Sequence, residues 1–182
     1  FMSMRDLEQV RTDLCYQNLP VRIIANYSGL TGNGGSTHYA MEDMALFSSL
    51  VNMTVCAPAD PEQLRQIILK SVDWAGPMAI RMDPGKNNAV LYPEDAQFEI
   101  GKAYTACEGS DITIIACGEM VADFKGIKKR GNQCPCAGYV YSETAGSGSG
   151  YQGSRGNRKN YHLGGSFDEQ WSEQCSQRCA YG

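Results

Sequence analysis

His38 is the side chain in this sequence best suited to proton transfer, because an unperturbed imidazole changes charge near neutral pH. It follows a loop over residues 27–36 that is rich in glycine. Farther along, Arg81 ends an apolar segment, where a cation can meet an anionic substrate. The two residues therefore predict acid–base chemistry or the binding of a small anion, against the plainer alternatives of a helix-capping histidine and a solvent-facing arginine.

The eight cysteines do not predict a metal site. Closed zinc sites use paired ligands two to four residues apart, and the one-residue gap at Pro135 between Cys134 and Cys136 is a poor chelating turn. Cysteines in apolar patterns are usually small buried side chains. This applies to Cys15, Cys56 and Cys117.

Alternating helix and strand patterns must position the loop of His38. Apolar spacing predicts a helix over residues 3–16 and strands over 21–25, 53–57 and 77–81. A second helix is expected to follow Thr37 and His38, with Glu42 and Asp43 in its first turn. A third is capped by Asp60 and starts at Pro61. Its predicted buried face consists of Leu64, Ile67, Ile68 and Val72.

Short connections between continuously apolar strands predict an α/β fold, with a parallel sheet covered by helices on both faces. In such sheets ligands bind at the carboxyl ends of the strands, so the loop after strand 21–25 is the predicted site. Residues 83–96 are typical of an interdomain linker. Residues 98–102 and 112–116 are predicted to be strands of another α/β domain.

The composition sets further limits. A net charge of -4 and a pI near 5.2 give no electrostatic basis for binding nucleic acid or an anionic membrane. The sequence has no apolar run long enough to span a membrane and no secretory signal pattern at its start. It therefore predicts a soluble, cytoplasmic protein, and the start at Phe1, directly in a helix pattern, suggests a fold that is incomplete at its N-terminus.

Several phrases of the sequence, in order, resemble the transketolase family of thiamine-diphosphate enzymes. They are Glu8-Gln9-Val10-Arg11, Gly35-Ser36-Thr37-His38 followed by Glu42-Asp43, Asn52-Met53-Thr54-Val55, Pro58-Ala59-Asp60, and residues 109–116. The resemblance covers Phe1 to about Asp123. It implies that 1–82 is the later part of a pyrimidine-binding domain, 83–96 the linker and 97–125 the start of the C-terminal domain.

The resemblance also implies a cofactor and a partner. Family members are dimers that hold thiamine diphosphate between the pyrimidine-binding domain of one subunit and the diphosphate-binding domain of another. This sequence has no motif for the diphosphate and its metal. The implied protein is a homo- or hetero-oligomer in which a partner domain or subunit holds the diphosphate with Mg²⁺ or Ca²⁺, and the substrate is a sugar or sugar phosphate.

Individual roles follow from the resemblance. His38 matches the family histidine that faces the substrate's oxygens, and is the predicted catalytic residue. Phe1 matches the aromatic residue that packs against the pyrimidine ring. Tyr27, Ser28 and Arg81, together with His38, are the predicted substrate-binding residues.

Three departures from the family pattern bear on the substrate. Gly34 stands where many transketolases have an aspartate that binds a sugar hydroxyl. Tyr27 and Pro84 stand where related enzymes have phosphate-binding cations, and neither residue can neutralise a phosphomonoester. The glutamate that activates the cofactor's pyrimidine ring lies, in the family, before the segment that starts at Phe1, so the polypeptide is expected to be inactive alone.

The last third of the sequence differs from the rest. From about Gly126 the hydrophobic periodicity stops, which predicts a disordered polar tail. If the codons for residues 131–181 are read one nucleotide downstream, they permit a peptide that resembles the transketolase C-terminal domain. Residues 126–182 are therefore interpreted as an out-of-frame tail, in which His162 and the cysteine pairs have no function.

Three interpretations of function remain. The first is a transketolase-like subunit or fragment that transfers a two-carbon ketol unit on a site completed by a partner. The second, within the same chemistry, is an enzyme of the 1-deoxy-D-xylulose-5-phosphate synthase type, with the beta subunit of a 2-oxoacid dehydrogenase as a more distant choice. The third is a non-catalytic, truncated or frameshifted remnant. Neighbouring DNA that encodes the missing glutamate and a diphosphate-binding domain would favour the enzyme.

Overall fold

The computed structural model describes residues 2–30, 34–82, 89–106, 112–122, 136–140, 143–144 and 160–162. The helices are α1 (Met2–Arg5), α2 (Leu7–Gln9), a π-helix (Val10–Cys15), α3 (Asp43–Ser48) and α4 (Pro61–Ser71). The strands are β1 (Arg22–Ala25), β2 (Thr54–Cys56), β3 (Met78–Arg81), β4 (Ile112–Ala116), β5 (Cys136–Val140), β6 (Glu143–Thr144) and β7 (Asn160–His162).

The first sheet has the order β1-β3-β2-β6, and its three longer strands are parallel. Arg22 pairs with Met78 and Ala25 with Arg81, so β1 and β3 end at the same level. The strand β6 joins β2 in antiparallel orientation. A second, parallel sheet has the order β5-β4-β7. The parallel strands between helices confirm the predicted α/β fold.

Side chains alternate between the two faces of the first sheet, as the period of two along a strand requires. One face packs Ile23, Ala25, Val55 and Ala79 against the π-helix, α3 and the segment after α3. On the other face Cys56, Met78 and Ile80 pack against Ile67 of α4. Both faces of this sheet are therefore covered, although Ile24 of β1 remains 45% exposed.

The predicted first helix is present but contains an irregularity. Hydrogen bonds from Tyr16 N to Arg11 O (2.9 Å) and from Leu19 N to Leu14 O (2.9 Å) span five residues, the spacing of a π-helix. This wider turn places Val10 and Cys15 on the same buried face. Met4 of α1 lies outside that face and is 59% exposed.

The predicted buried face of α4 is partly wrong. Ile67 is buried, but Ile68 is 42% exposed and Val72 is 76% exposed. The helix instead buries two glutamines, because the segment over residues 89–98 packs along that side. Gln66 donates to Ala96 O at 2.6 Å and accepts from Phe98 N at 3.0 Å, while Gln63 accepts from Ala59 N at 2.7 Å.

The predicted strand over residues 98–102 is also wrong, because its backbone groups are taken by side chains. Phe98 N donates to Gln66, Phe98 O accepts from Lys70, and Glu99 N donates to the Tyr104 hydroxyl. The Phe98 ring packs edge-on between Tyr92 and Tyr104. This segment therefore belongs to a core formed with Ile114, Ala116 and Val121.

Three further predictions lie partly or wholly outside the described residues. Phe1, residues 83–88, which include Pro84, and most of 126–182 are not among them. Within 126–182 the structure does describe β5, β6 and β7, whereas the sequence predicts a disordered tail there. Backbone hydrogen bonds to β4 and β2 form these strands, and such bonds make few demands on side chains. The reading frame of the tail stays a prediction.

Candidate active site at the carboxyl edge of the parallel sheet

A loop over residues 26–42 connects the end of β1 to α3, at the edge where ligands bind in open α/β sheets. Its first residues are fastened to the end of β3. Met82 N donates to Ala25 O at 2.8 Å, and Ser28 N donates to Met82 O at 3.2 Å. The loop therefore begins at a fixed point of the sheet.

The loop closes on itself through a short antiparallel bridge. Gly29 N donates to Ala40 O at 3.2 Å, and Ala40 N donates to Gly29 O at 2.9 Å. Because this bridge holds Ala40 in an extended conformation, α3 starts only at Asp43 rather than directly after His38. Asp43 lies in the first turn of α3, as predicted, whereas Glu42, predicted in the same turn, is the N-cap residue before it.

His38 lies on the outer side of this closed loop and is exposed. Its N–H donates to Gly35 O at 2.9 Å, which makes a turn over residues 35–38. The ring nitrogen Nδ1 lies 2.9 Å from Thr37 Oγ1. The turn and the threonine together orient an accessible imidazole, which can accept or donate a proton at a bound molecule.

Gly34 gives the imidazole the space that it occupies. A Cβ atom at this position would lie 2.4 Å from Cγ of His38 and 2.6 Å from its Nδ1. These distances are far shorter than any van der Waals contact, so an aspartate here would displace the ring. The departure from the family pattern at Gly34 is therefore matched by the placement of His38.

Tyr27 and Ser28 lie at the start of the loop in different environments. Tyr27 is 52% exposed, and its φ of 58° is in the left-handed region, which costs a non-glycine residue of order 1 kcal/mol. Its N–H donates to Oδ1 of Asn26 at 3.0 Å. Ser28 is buried, with 5% of its surface exposed. Of the two side chains, that of Tyr27 is thus the exposed one, and its binding of substrate stays a prediction.

Arg81 forms an ion pair with Asp43, a contact that was not predicted from the sequence. Its Nε donates to Oδ2 of Asp43 at 2.8 Å, and the exposed fractions of the two side chains are 18% and 3%. Oδ1 of Asp43 accepts from Met44 N at 2.8 Å. The positive charge of Arg81 is therefore balanced within the chain, and a substrate-binding role for it stays a prediction.

The structure thus brings four predicted site residues to one edge: Tyr27, Ser28 and His38 on the loop, and Arg81 at the end of β3. Phe1 lies outside the described residues. Among the described residues no group of three or more His, Cys, Asp or Glu side chains could hold a metal ion, and no helix of that part of the chain is long and apolar enough to cross a membrane.

Asp43 was predicted only as an acidic residue in a first helical turn and not as a residue beside the site. Its position in a first helical turn is explained equally well by the helix dipole. Nothing local in one sequence links it to Arg81, because the two residues are far apart along the chain and meet only when the start of α3 reaches the end of β3.

The parallel sheet, with an exposed histidine on a closed loop at its carboxyl edge, places this domain in the open-sheet α/β class, in which ligands bind at that edge. Comparison with known proteins identifies its family. Residues 1–88 match the family model described as "Transketolase, pyrimidine binding domain". Residues 1–88 therefore form a pyrimidine-binding domain of the transketolase family, which confirms the resemblance and the fold class predicted from the sequence.

Several relatives are subunits or sections of larger enzymes. A putative transketolase C-terminal section of Methanocaldococcus jannaschii is 37% identical over 126 residues, which cover 68% of this chain and 40% of the relative. A subunit of the apulose-4-phosphate transketolase of Phocaeicola vulgatus is 35% identical over 122 residues, with 66% and 39% covered. A 1-deoxy-D-xylulose-5-phosphate synthase of Dictyoglomus turgidum is 33% identical over 118 residues, with 64% and 19% covered.

Solved structures agree with this assignment. A split-gene transketolase, described as an inactive beta4 tetramer, superposes with a TM-score of 0.68 at 33% identity, covering 77% of this chain and 45% of that one. A transketolase from Pichia stipitis gives a TM-score of 0.55 at 18% identity over 71% of this chain and 20% of its own, which shows a shared fold. The chain spans about two fifths or less of the length of the three curated relatives described above.

Proposed function

We propose that this chain supplies the pyrimidine-domain part of a transketolase-type active site, which transfers a two-carbon ketol unit between sugars. The observation that carries the proposal is the exposed imidazole of His38, oriented by Thr37 on a loop at the carboxyl edge of the sheet. Relatives named as a transketolase C-terminal section and as a subunit of a sugar-phosphate transketolase support it. The likeness to a split-gene transketolase supports it further.

Transketolases and 1-deoxy-D-xylulose-5-phosphate synthases use thiamine diphosphate. When bound, this cofactor supplies the electron sink for breaking and forming the carbon–carbon bond. Apart from the guanidinium of Arg81, whose charge is paired with Asp43, the donor groups at the described edge are an imidazole and hydroxyls, which suit the hydroxyl and carbonyl oxygens of a sugar. They do not suit a diphosphate and its metal, so in this proposal a partner domain or subunit holds the diphosphate with Mg²⁺ or Ca²⁺.

Within that site each residue has a distinct part. His38 accepts or donates a proton at the substrate's oxygens. The exposed Tyr27 contacts a substrate hydroxyl, with Ser28 beside it, and Phe1 packs against the pyrimidine ring. Arg81, the fourth predicted substrate-binding residue, lies at the end of β3 beside the loop that carries His38. The proposed complex is a homo- or hetero-oligomer, located in the cytoplasm and acting in carbohydrate metabolism.

One alternative rests on a specific observation. The identity of 33% to a 1-deoxy-D-xylulose-5-phosphate synthase is nearly as high as that to the transketolase relatives. Such an enzyme joins pyruvate to an aldose phosphate with loss of the pyruvate carboxylate as CO2, whereas a transketolase takes its two-carbon ketol unit from a ketose and releases the shortened aldose. The neutral side chain of Tyr27, where the synthases are expected to place a phosphate-binding cation, favours the transketolase.

The proposal is tested by reconstitution. The DNA flanking the gene is sequenced, and the chain is co-purified with any diphosphate-binding subunit encoded there, with thiamine diphosphate and Mg²⁺. Ketol transfer is then assayed with ketose donors, and condensation with loss of CO2 is assayed separately with pyruvate as donor. We expect transfer from a ketose that His38→Ala lowers at least about a hundredfold, with Arg65→Gln as an exposed control variant.

Other results would change the assignment. Turnover with pyruvate alone would favour the synthase. The absence of turnover with every donor, in a complex that binds thiamine diphosphate, would favour a non-catalytic remnant.

A further inference from the structure

Both ends of the loop that carries His38 are fastened to two consecutive residues, Arg81 and Met82, at the end of β3. At the first end, Ser28 N donates to Met82 O at 3.2 Å. At the second end, Asp43 of α3 accepts from Nε of Arg81 at 2.8 Å. The end of β3 therefore sets the distance between the two stems of the loop.

The second attachment is a nearly buried ion pair. The side chain of Asp43 is 3% exposed and that of Arg81 is 18% exposed. Breaking such a pair from one side leaves the other charge buried without its counter-charge, which is more disruptive than replacing both partners. Asp43 also accepts from Met44 N at 2.8 Å, so the same carboxylate holds the first turn of α3.

From this attachment the chain runs back to His38 through few residues. Ala40 is held by its two hydrogen bonds with Gly29, at 2.9 and 3.2 Å. His38 lies shortly before it, at the end of the turn that begins at Gly35. A shift of Asp43 is therefore transmitted to the bridge and to the imidazole.

We infer that Arg81 is a positioning residue: through Asp43 it holds the start of α3, and thereby the loop that places His38. This inference rests on the proposed function in one respect, since it takes the placement of His38 to matter for ketol transfer. It differs from the prediction that Arg81 binds substrate, because the guanidinium acts through the loop and does not need to touch the substrate.

The first arm of the test is amide hydrogen exchange on the full-length chain, so it needs neither cofactor nor partner. We expect Arg81→Gln and Asp43→Asn each to speed exchange of the Gly29 and Ala40 amides by about tenfold or more. The amide of Ile80, inside the sheet, is expected to change little. The double variant Asp43→Asn with Arg81→Gln, which removes both charges, is expected to recover part of the protection.

Controls separate this effect from general instability. Arg65→Gln removes an exposed arginine that pairs with Glu62 and is expected to leave the bridge amides unchanged. If Arg81→Gln does not fold, the milder Asp43→Asn decides the question. Unchanged exchange at Gly29 and Ala40 in a folded Arg81→Gln or Asp43→Asn variant would overturn the inference.

The second arm is the kinetics of the reconstituted complex. A positioning role predicts that Arg81→Gln lowers kcat at least about tenfold, with KM nearly unchanged and the same loss for phosphorylated and unphosphorylated donors. A selective rise in KM for phosphorylated donors would overturn the inference in favour of direct substrate binding. If the wild-type complex shows no ketol transfer, the proposed function fails and the exchange data alone decide whether Arg81 holds the loop.

Discussion

Replacing Asp60 removes an acceptor that serves two parts of the structure at once. Its Oδ1 accepts from Gln63 N at 2.8 Å and caps α4. Its Oδ2 accepts from Leu91 N and Tyr92 N, both at 3.1 Å, in the later part of the predicted linker. Asp60 is 7% exposed, so water replaces these contacts poorly.

The expected loss can be estimated from the three hydrogen bonds. Removing an N-cap side chain costs about 1 kcal/mol of folding free energy. Each buried amide that loses its acceptor costs about a further 1 to 1.5 kcal/mol, the lower part of the range for such groups. Asp60→Ala is therefore expected to lower the free energy of unfolding by about 3 to 4 kcal/mol, a large share of the roughly 5 to 15 kcal/mol typical of a domain.

A second substitution separates the two functions of the carboxylate. Asparagine caps helices as well as aspartate does, so Asp60→Asn is expected to keep the contact to Gln63 N. Its amide group, however, is a donor, and it would face the donors of Leu91 and Tyr92. We expect Asp60→Asn to lose about 2 to 3 kcal/mol, with amide exchange accelerated at Leu91 and Tyr92 but not at Gln63.

Urea unfolding of the full-length chain measures the free energies, and hydrogen exchange measures the individual amides. Asp95→Ala, an exposed aspartate in the same part of the chain, serves as the matched control and is expected to change stability by less than about 0.5 kcal/mol. If both Asp60 variants also change the free energy of unfolding by less than about 0.5 kcal/mol, the stabilisation assigned to the buried hydrogen bonds of Asp60 is wrong.

Three further predictions concern single side chains. Gly34→Ala would place a Cβ 2.4 Å from Cγ of His38. We expect this variant to change the NMR signal of the imidazole and to reduce ketol transfer about tenfold or more. An unchanged imidazole signal would refute the clash. Hydrogen bonds from Arg65 lower the pKa of Glu62 to about 2, so in Arg65→Ala an NMR titration should show this pKa rising toward 4.5. In the wild type the contribution of the Glu62–Arg65 pair to folding stability is present above pH 4.5 and is lost as the pH falls toward 2. Burial raises the pKa of Cys56 from 9.0 to about 12, so the contribution of the buried neutral thiol to folding stability is complete below pH 9 and is lost as the pH rises toward 12. Iodoacetamide should modify this thiol only in the unfolded chain. Rapid modification of the native chain would contradict the burial of Cys56.

The elements that were predicted correctly have local causes. Pro61 at the first position and Asp60 before it mark the start of α4, and the structure has both in these roles. The strands β1, β2 and β3 are short apolar runs between turn residues, and each lies within its predicted range. The predicted placement of His38 after the first strand also follows from order along the chain.

The errors arise where distant segments meet. The orientation of α4 depends on what packs beside it, and the segment over 89–98 covers its glutamines rather than Ile68 and Val72. Residues 98–102 have the composition of a strand, but side chains of α4 and Tyr104 take their backbone groups. The contacts with α4 could not be read from local periodicity, because they join residues roughly thirty positions apart.

The contacts also indicate which strand ends of the sheet remain for a ligand. Beyond β2, Ala57 O accepts from Gly118 N at 3.0 Å, and Asp60 binds the amides of Leu91 and Tyr92. That end of the edge is therefore filled by the chain itself. At the ends of β1 and β3 the exposed side chains of Tyr27 and His38 face outward instead. A ligand that meets the described residues at this edge is thus expected to contact the loop over 26–42, and the attachments of that loop to β3 decide how precisely His38 is presented to it.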